Sequence, residues 1–481
     1  MEYLNSPLPR GGYRPLSSAG DSRWFGPDQR MGPWAYAQLV ALAHPWPIAW
    51  LYPPRPGDPP RIVNLFAGPG GWERGLHILN PTGGAFDVIG VELNRDAAAT
   101  AVAAGYRRIV CDVRSLDPTH PALRHVEGLI VSAPCEVWTP AGLRQGREDH
   151  NIKLLEEVFA RALEGSFGHW HDEEECDEAD TCVICSDPTW DGNGGWTGPL
   201  LTLSEVREPI AEMSDAKIGL IAETLIWSLT LTAKFNSLRW LAMEQSSALP
   251  AIVLDHLGGA LELADWYSSG FQTLDAADAG LASHRRRTFL VAGYHHRVAL
   301  QAMQPAGPVP TRTAAQALGW REGVRVNTRG EHTGGGNEWS ADRPATAITG
   351  RSRSWYWADD PQRRLGLGEV SLLVGMPADH PWEGSPTSAF RQAGGIVAPT
   401  EAARVLGALL RRRWQEKVPD YLAELYGPDS QALAAAMPHP LSVRAAAALS
   451  ASPMLPGFTD WEPPAVPVRS ATPRRPGPRS R

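Results

Sequence analysis

Pro134-Cys135, within the run Ser132-Ala133-Pro134-Cys135-Glu136-Val137-Trp138-Thr139-Pro140-Ala141-Gly142, is the first place in this chain where residue types suggest chemistry. Upstream of it stands a glycine-rich loop, Phe66-Ala67-Gly68-Pro69-Gly70-Gly71. A thiolate is a strong nucleophile. Glycines let a backbone approach a ligand closely and adopt φ angles that side chains forbid. The two segments therefore read as a nucleophile and its cofactor cradle, with Phe66, Ala67, Gly68, Gly70 and Pro134 on the cradle's wall. Glu92 follows the loop at roughly the 20-residue spacing of a carboxylate that grips ribose hydroxyls. Asp112 ends the next apolar run and is placed to accept a hydrogen bond from an adenine amino group.

Four apolar runs must hold these residues. Ile62-Val63-Asn64-Leu65-Phe66, Asp87-Val88-Ile89-Gly90-Val91, Arg108-Ile109-Val110-Cys111 and Gly128-Leu129-Ile130-Val131-Ser132 read as strands of a parallel sheet. Ligands of such sheets bind beyond the carboxyl ends of the strands. The glycine loop, Glu92, Asp112 and Cys135 then converge on one edge. The expected fold class is α/β, a doubly wound, mostly parallel sheet.

The order of motifs resembles the cytosine-5 DNA methyltransferase family, whose members bind S-adenosylmethionine with an F-x-G-x-G loop and attack with a Pro-Cys cysteine. Trp240-Leu241-Ala242-Met243-Glu244-Gln245 resembles the family strand ending in Glu-Asn-Val. Ser283-His284-Arg285-Arg286-Arg287-Thr288-Phe289 resembles its Gln-x-Arg-x-Arg strand. The segments 343–349 and 390–399 match its late motifs in order, and the resemblance runs from about residue 61 to about 413. It implies a Rossmann-like methyltransferase fold, with Cys135 adding to carbon 6 of a flipped-out cytosine and Glu244 holding or protonating ring nitrogen 3. It also implies that Arg287 contacts the base carbonyl and orients Glu244, and that Arg285 favours the Cys135 thiolate. S-adenosylmethionine is the implied cofactor and double-stranded DNA the implied partner.

Blander roles exist for each residue. A cysteine after a strand commonly serves as a small buried hydrophobe, Glu244 would suit a solvated strand end, and the arginine triplet would suit a phosphate-contacting patch. Motif order favours the chemistry. Departures from the family pattern fall beside the reacting groups: Glu136-Val137-Trp138-Thr139 in the loop after the cysteine, Gln245 for Asn, Ser283 for Gln and Gly395 for Asn. They bear on rate, base choice and transferred group. RNA or a modified pyrimidine as substrate, and a non-catalytic DNA-binding relative, are the alternatives.

At 481 residues, 43% hydrophobic and 20% charged, the chain can bury a large core and should hold more than one domain. Its formal net charge of −8 argues against indiscriminate coating of nucleic acid, so DNA contact should be local. No run is long and apolar enough for a membrane span, and the start lacks the pattern of a signal peptide, so a cytoplasmic, monomeric protein with no membrane contact is expected. Five cysteines argue against a disulfide framework. Three of them, Cys176, Cys182 and Cys185, stand with His171 or His169 in a composition that can close a tetrahedral structural zinc site; an acidic loop with incidental thiols is the other reading.

The expected organisation is a Pro- and Trp-rich lead-in (1–60) with one short helix over 34–40, then the cofactor-binding and nucleophile half (61–150), an inserted Cys/His loop (151–212) and the rest of the catalytic domain (213–293). A short, loop-rich target-recognition region (294–342) follows, then the late motifs and a returning helix (343–415), and a C-terminal extension ending in a basic, disordered tail (416–481).

Overall fold

The computed structural model describes residues 59–81, 86–119, 123, 125–139, 145–164, 170–171, 195–196, 201–328 and 338–437. The expected lead-in up to residue 58, with its short helix, and the basic tail lie outside them.

Seven strands form the central sheet: β1 (Arg61–Leu65), β2 (Asp87–Val91), β3 (Arg108–Ile109), β4 (Val126–Val131), β5 (Trp240–Ser246), β6 (Trp266–Asp275) and β7 (Arg286–Tyr294). Their order is β3-β2-β1-β4-β5-β7-β6. Neighbours from β3 to β5 pair in parallel, and β7 runs antiparallel to both β5 and β6. This is the expected mostly parallel sheet. Alternate residues of each strand enter different cores. Ile62, Ile130, Ala242, Phe289 and Val291 join one cluster, and Val63, Leu129, Leu241, Met243, Leu290 and Ala292 join the other. A sheet buried on both faces has no solvent side, which is why its strands read as continuous apolar runs.

Helices α1 (Gly71–Leu79), α2 (Arg95–Ala103), α3 (Asp149–Glu164), α4 (Glu223–Phe235) and α5 (Ala251–Leu263) follow the strands. In α2 the Asn94 side chain caps the first turn by accepting from the Asp96 and Ala97 N–H groups. Helix α3 buries Leu154, Leu155, Val158 and Phe159 in the core, so the expected insertion begins only after a core helix. Its described remainder holds a two-residue antiparallel ribbon, Trp170 opposite Trp196 and His171 opposite Gly195.

Past β7 the structure departs from the expected loops. Strands β8 (Arg325–Asn327), β9 (Glu338–Ser340), β10 (Tyr356–Trp357) and β11 (Asp360–Arg364) form an antiparallel sheet of order β9-β8-β10-β11. It crosses the boundary expected at 342 and buries Val326, Trp339 and Trp355. Strands this short, set among glycines and arginines, carry too little alternation to read.

The chain returns through α6 (Leu367–Leu373), α7 (Pro386–Gly395) and α8 (Pro399–Leu409). Two further helices, α9 (Trp414–Leu425) and α10 (Pro428–Ala436), occupy the start of the expected extension. They belong to the core: Trp414, Val418, Leu422, Leu425 and Tyr426 are buried, and Tyr426 Oη accepts from the Ala282 N–H at 3.0 Å.

Candidate active site

The turn after β1 is built for close approach. Phe66, Gly68 and Gly70 take φ of +57°, +56° and +113°, which only glycine adopts freely. Trp72, at the start of α1, donates its indole N–H to Ser132 Oγ at 2.8 Å, tying this turn to the end of β4. There the chain leaves the sheet through Ala133, Pro134 and Cys135. Gln245 of β5 clamps this exit, donating from Nε2 to the Ala133 carbonyl at 3.1 Å while its Oε1 accepts the Ser246 N–H at 2.9 Å.

These segments enclose one cleft of about 250 Å³. Phe66, Ala67, Gly68, Pro69 and Trp72 form one wall, Ser132 to Glu136 another, and Gly395, Ile396 and Val397 a third; Glu244 and Arg287 complete the lining. Residues far apart in sequence thus meet in one cleft. Arg287 Nε stands 2.9 Å from Glu244 Oε1, the arginine partly exposed and the acid nearly buried. Glu136 pairs with Lys217, which fastens the loop after Cys135 to the segment before α4.

Burial pushes the Cys135 thiol above its ordinary pKa, and the nearby Glu244 carboxylate adds to the rise; Arg287 and Arg285 oppose it. Arg285 stands off the cleft. It is buried, donates from Nη1 to the Gly394 carbonyl at 3.0 Å, and acts on the thiol only through its field. Desolvation lowers its own pKa to about 10. Arg286 between them is exposed, as a phosphate contact would require.

Glu92 and Asp112 stand at strand ends beside the cleft rather than in its wall. Glu92 is half-buried, and its two oxygens accept from the Gly68 N–H at 2.8 Å and the Asn94 N–H at 2.7 Å. Asp112 faces Arg114, whose backbone N–H, Nε and Nη2 donate to it at 2.9, 3.0 and 2.6 Å. That contact holds the carboxyl below its usual range. Leu93, next to Glu92, is 65% exposed, an apolar surface at the same edge.

Sequence reading passed over the polar supports. Arg108 and Glu73 form a fully buried ion pair under the glycine loop. The available signal was a charge at the head of a strand and another on the apolar face of a helix. Cys176, Cys182, Cys185 and His169 lie outside the described residues, as does the side chain of His171. Among the described residues no cluster suits a metal, and no helix is long and apolar enough to cross a membrane.

Solved structures with a similar chain path include Entamoeba histolytica methyltransferase EhMeth, at 11% identity, TM-score 0.46, covering 73% of this chain and 98% of that one. The Schizosaccharomyces pombe (S. pombe) Dnmt2 methyltransferase stands at 12%, 0.43, 73% and 98%. A prophage-encoded E. coli protein assigned as a DNA modification methyltransferase stands at 13%, 0.42, 73% and 99%. No curated protein matches the sequence. The model of C-5 cytosine-specific DNA methylases matches residues 60–164, from β1 through the glycine loop and Pro134-Cys135 to the end of α3. Over that segment, which is less than a quarter of its length, the chain is similar to the C-5 cytosine-specific DNA methylase family.

Proposed function

We propose that this protein methylates carbon 5 of a cytosine in double-stranded DNA, using S-adenosylmethionine and a covalent adduct to Cys135. The observation that carries the reading is the single cleft lined by the glycine loop, Cys135, Glu244 and Arg287.

The residues present suit the cofactor. The glycine loop leaves room for a ligand against its backbone, Glu92 is an acceptor for ribose hydroxyls, Leu93 offers apolar surface, and Asp112 keeps acceptor capacity beyond its bonds to Arg114. S-adenosylmethionine, when bound, supplies an electrophilic methyl group on a sulfonium.

Carbon 5 of cytosine is a poor nucleophile. As the Cys135 sulfur adds to carbon 6 its thiol proton passes to the Glu244 carboxylate, and the displaced electron pair moves into the ring, where Glu244 delivers that proton to nitrogen 3. Carbon 5 is then enamine-like and takes the methyl group. Loss of the carbon 5 proton to a base restores the double bond as the Cys135 sulfur leaves. Arg287, beside Glu244, orients the acid and contacts the base carbonyl. Arg285 and Arg287 both favour the thiolate that burial disfavours. Because these atoms are unreachable in a stacked duplex, the target base must be extruded, at a cost of a few kcal/mol.

Mass spectrometry of nucleosides from cells expressing the wild type, beside Cys135→Ser and empty vector, tests the reading. The expected result is 5-methyl-2′-deoxycytidine in the wild type alone. Modified cytidine in RNA, or a different deoxycytidine derivative, would move the substrate to RNA or to a modified pyrimidine. No product with an unaltered Cys135→Ser phenotype would make the fold a binding module.

A further inference from the structure

Beneath the glycine loop Asn64, Glu73 and Arg108 form a buried polar cluster that the proposed chemistry leaves without a task. The Arg108 side chain, at the head of β3, is 0% exposed. Room for it depends on Gly90 of β2, where a Cβ would come within 2.3 Å of Arg108 Nη1. Its Nε and Nη2 each donate to the Gly68 carbonyl at 3.1 Å, and Nη2 also donates to the Ala67 carbonyl at 3.3 Å. Nη1 pairs with Glu73 Oε1 at 2.6 Å, which also accepts from Asn64 Nδ2 at 3.1 Å.

A trans peptide points its C=O and N–H to opposite sides. Arg108 takes the Ala67 carbonyl from below, so the N–H of the same peptide, that of Gly68, faces the other way. There it donates to Glu92 Oε2 at 2.8 Å. A buried guanidinium is costly unless it is paired; besides Glu73 and the Arg107 carbonyl, this one holds the Ala67 carbonyl of that peptide and the Gly68 carbonyl of the next. We propose that Arg108 is a positioning residue for the cofactor: through the 67–68 peptide it aims the Glu92 carboxylate at the ribose hydroxyls. The proposal rests on the cofactor reading above.

Calorimetric titration of the full chain with S-adenosyl-L-homocysteine and with its 2′,3′-dideoxyribose analogue tests it. In the wild type the analogue binds roughly tenfold or more weakly, the usual worth of hydrogen bonds to a charged acceptor. In Arg108→Met the hydroxylated ligand weakens and the ratio collapses to within about threefold. Glu73→Gln, which keeps the side-chain shape but loosens the guanidinium, moves the ratio the same way by less, and decides the matter alone if Arg108→Met does not fold. A purely structural role would weaken both ligands alike, so an unchanged ratio in the folded variants overturns the positioning role by itself. A wild type that binds neither ligand overturns the cofactor reading and this proposal with it.

Discussion

Cys135, Glu244 and Arg287 constrain one another electrically. Burial and the Glu244 carboxylate both raise the thiol, while the arginines lower it, so the residue proposed to act at nitrogen 3 works against the proposed nucleophile. Glu244→Gln should therefore have effects of opposite sign. Alkylation of Cys135 by iodoacetamide at fixed pH should quicken a few-fold, because a charge that disfavours the thiolate is gone. Methyl transfer should fall by about 100-fold or more, because the proton donor is gone; rates of both processes on one preparation check this. That Cys135, Glu244 and Arg287 line one cleft was legible in the sequence because each stands in a motif with recognisable neighbours. The partners of Arg285 and Arg108 were not, since an arginine at a strand end looks the same whether it meets water or a buried carbonyl.

The elements meet through close approaches that a side chain would block. Helix α1 lies directly on α8: a Cβ on Gly71 would stand 2.1 Å from the Val397 carbonyl oxygen, and one on Gly75 would stand 2.5 Å from Ala402 Cβ. Gly71→Ala should cost about 1–3 kcal/mol as overpacking and disturb the cleft wall at Val397. Gly259→Ala, in the exposed middle of α5 where a new Cβ meets nothing within 4 Å, should instead stabilise by roughly 0.5–1 kcal/mol. Urea denaturation of the two variants gives both signs. Strands β1, β2, β4 and β5 were legible because each is an apolar run bounded by turn residues. The sheet over 325–364 was not, because its strands are short and mostly polar, with exposed charged positions in place of an apolar run.

At the scale of the described molecule, distant segments brace the helix that follows the glycine loop. Tyr421 of α9 donates to the Gly375 carbonyl at 2.6 Å and lies under the Arg74 guanidinium of α1 at 5.4 Å. His380 is buried and packs edge-on to Trp382 at 4.6 Å. Desolvation, with the Arg74 charge behind it, lowers its pKa to about 3 from an ordinary 6.5. The unfolded chain therefore binds the extra proton between pH 6.5 and about 3, and stability falls as pH drops through that window, by at most roughly 5 kcal/mol from this group. His380→Gln should flatten that part of the dependence of denaturation midpoint on pH. None of this was legible beforehand, because a histidine's burial is decided by segments that only the fold brings together, and helices α9 and α10 read as an extension when their apolar partners were unknown.

The central claim is that the Cys135 sulfur adds to cytosine in DNA. Intact-mass analysis of the full chain, incubated with S-adenosylmethionine and a duplex in which 5-fluoro-2′-deoxycytidine replaces cytosine, tests it most directly, because carbon 5 then carries no proton to lose and the adduct cannot eliminate. The expected product is a stable protein–DNA species whose peptide map places the link at Cys135 and which is absent in Cys135→Ser. An adduct that persists in Cys135→Ser, or one that forms only with RNA, would contradict it.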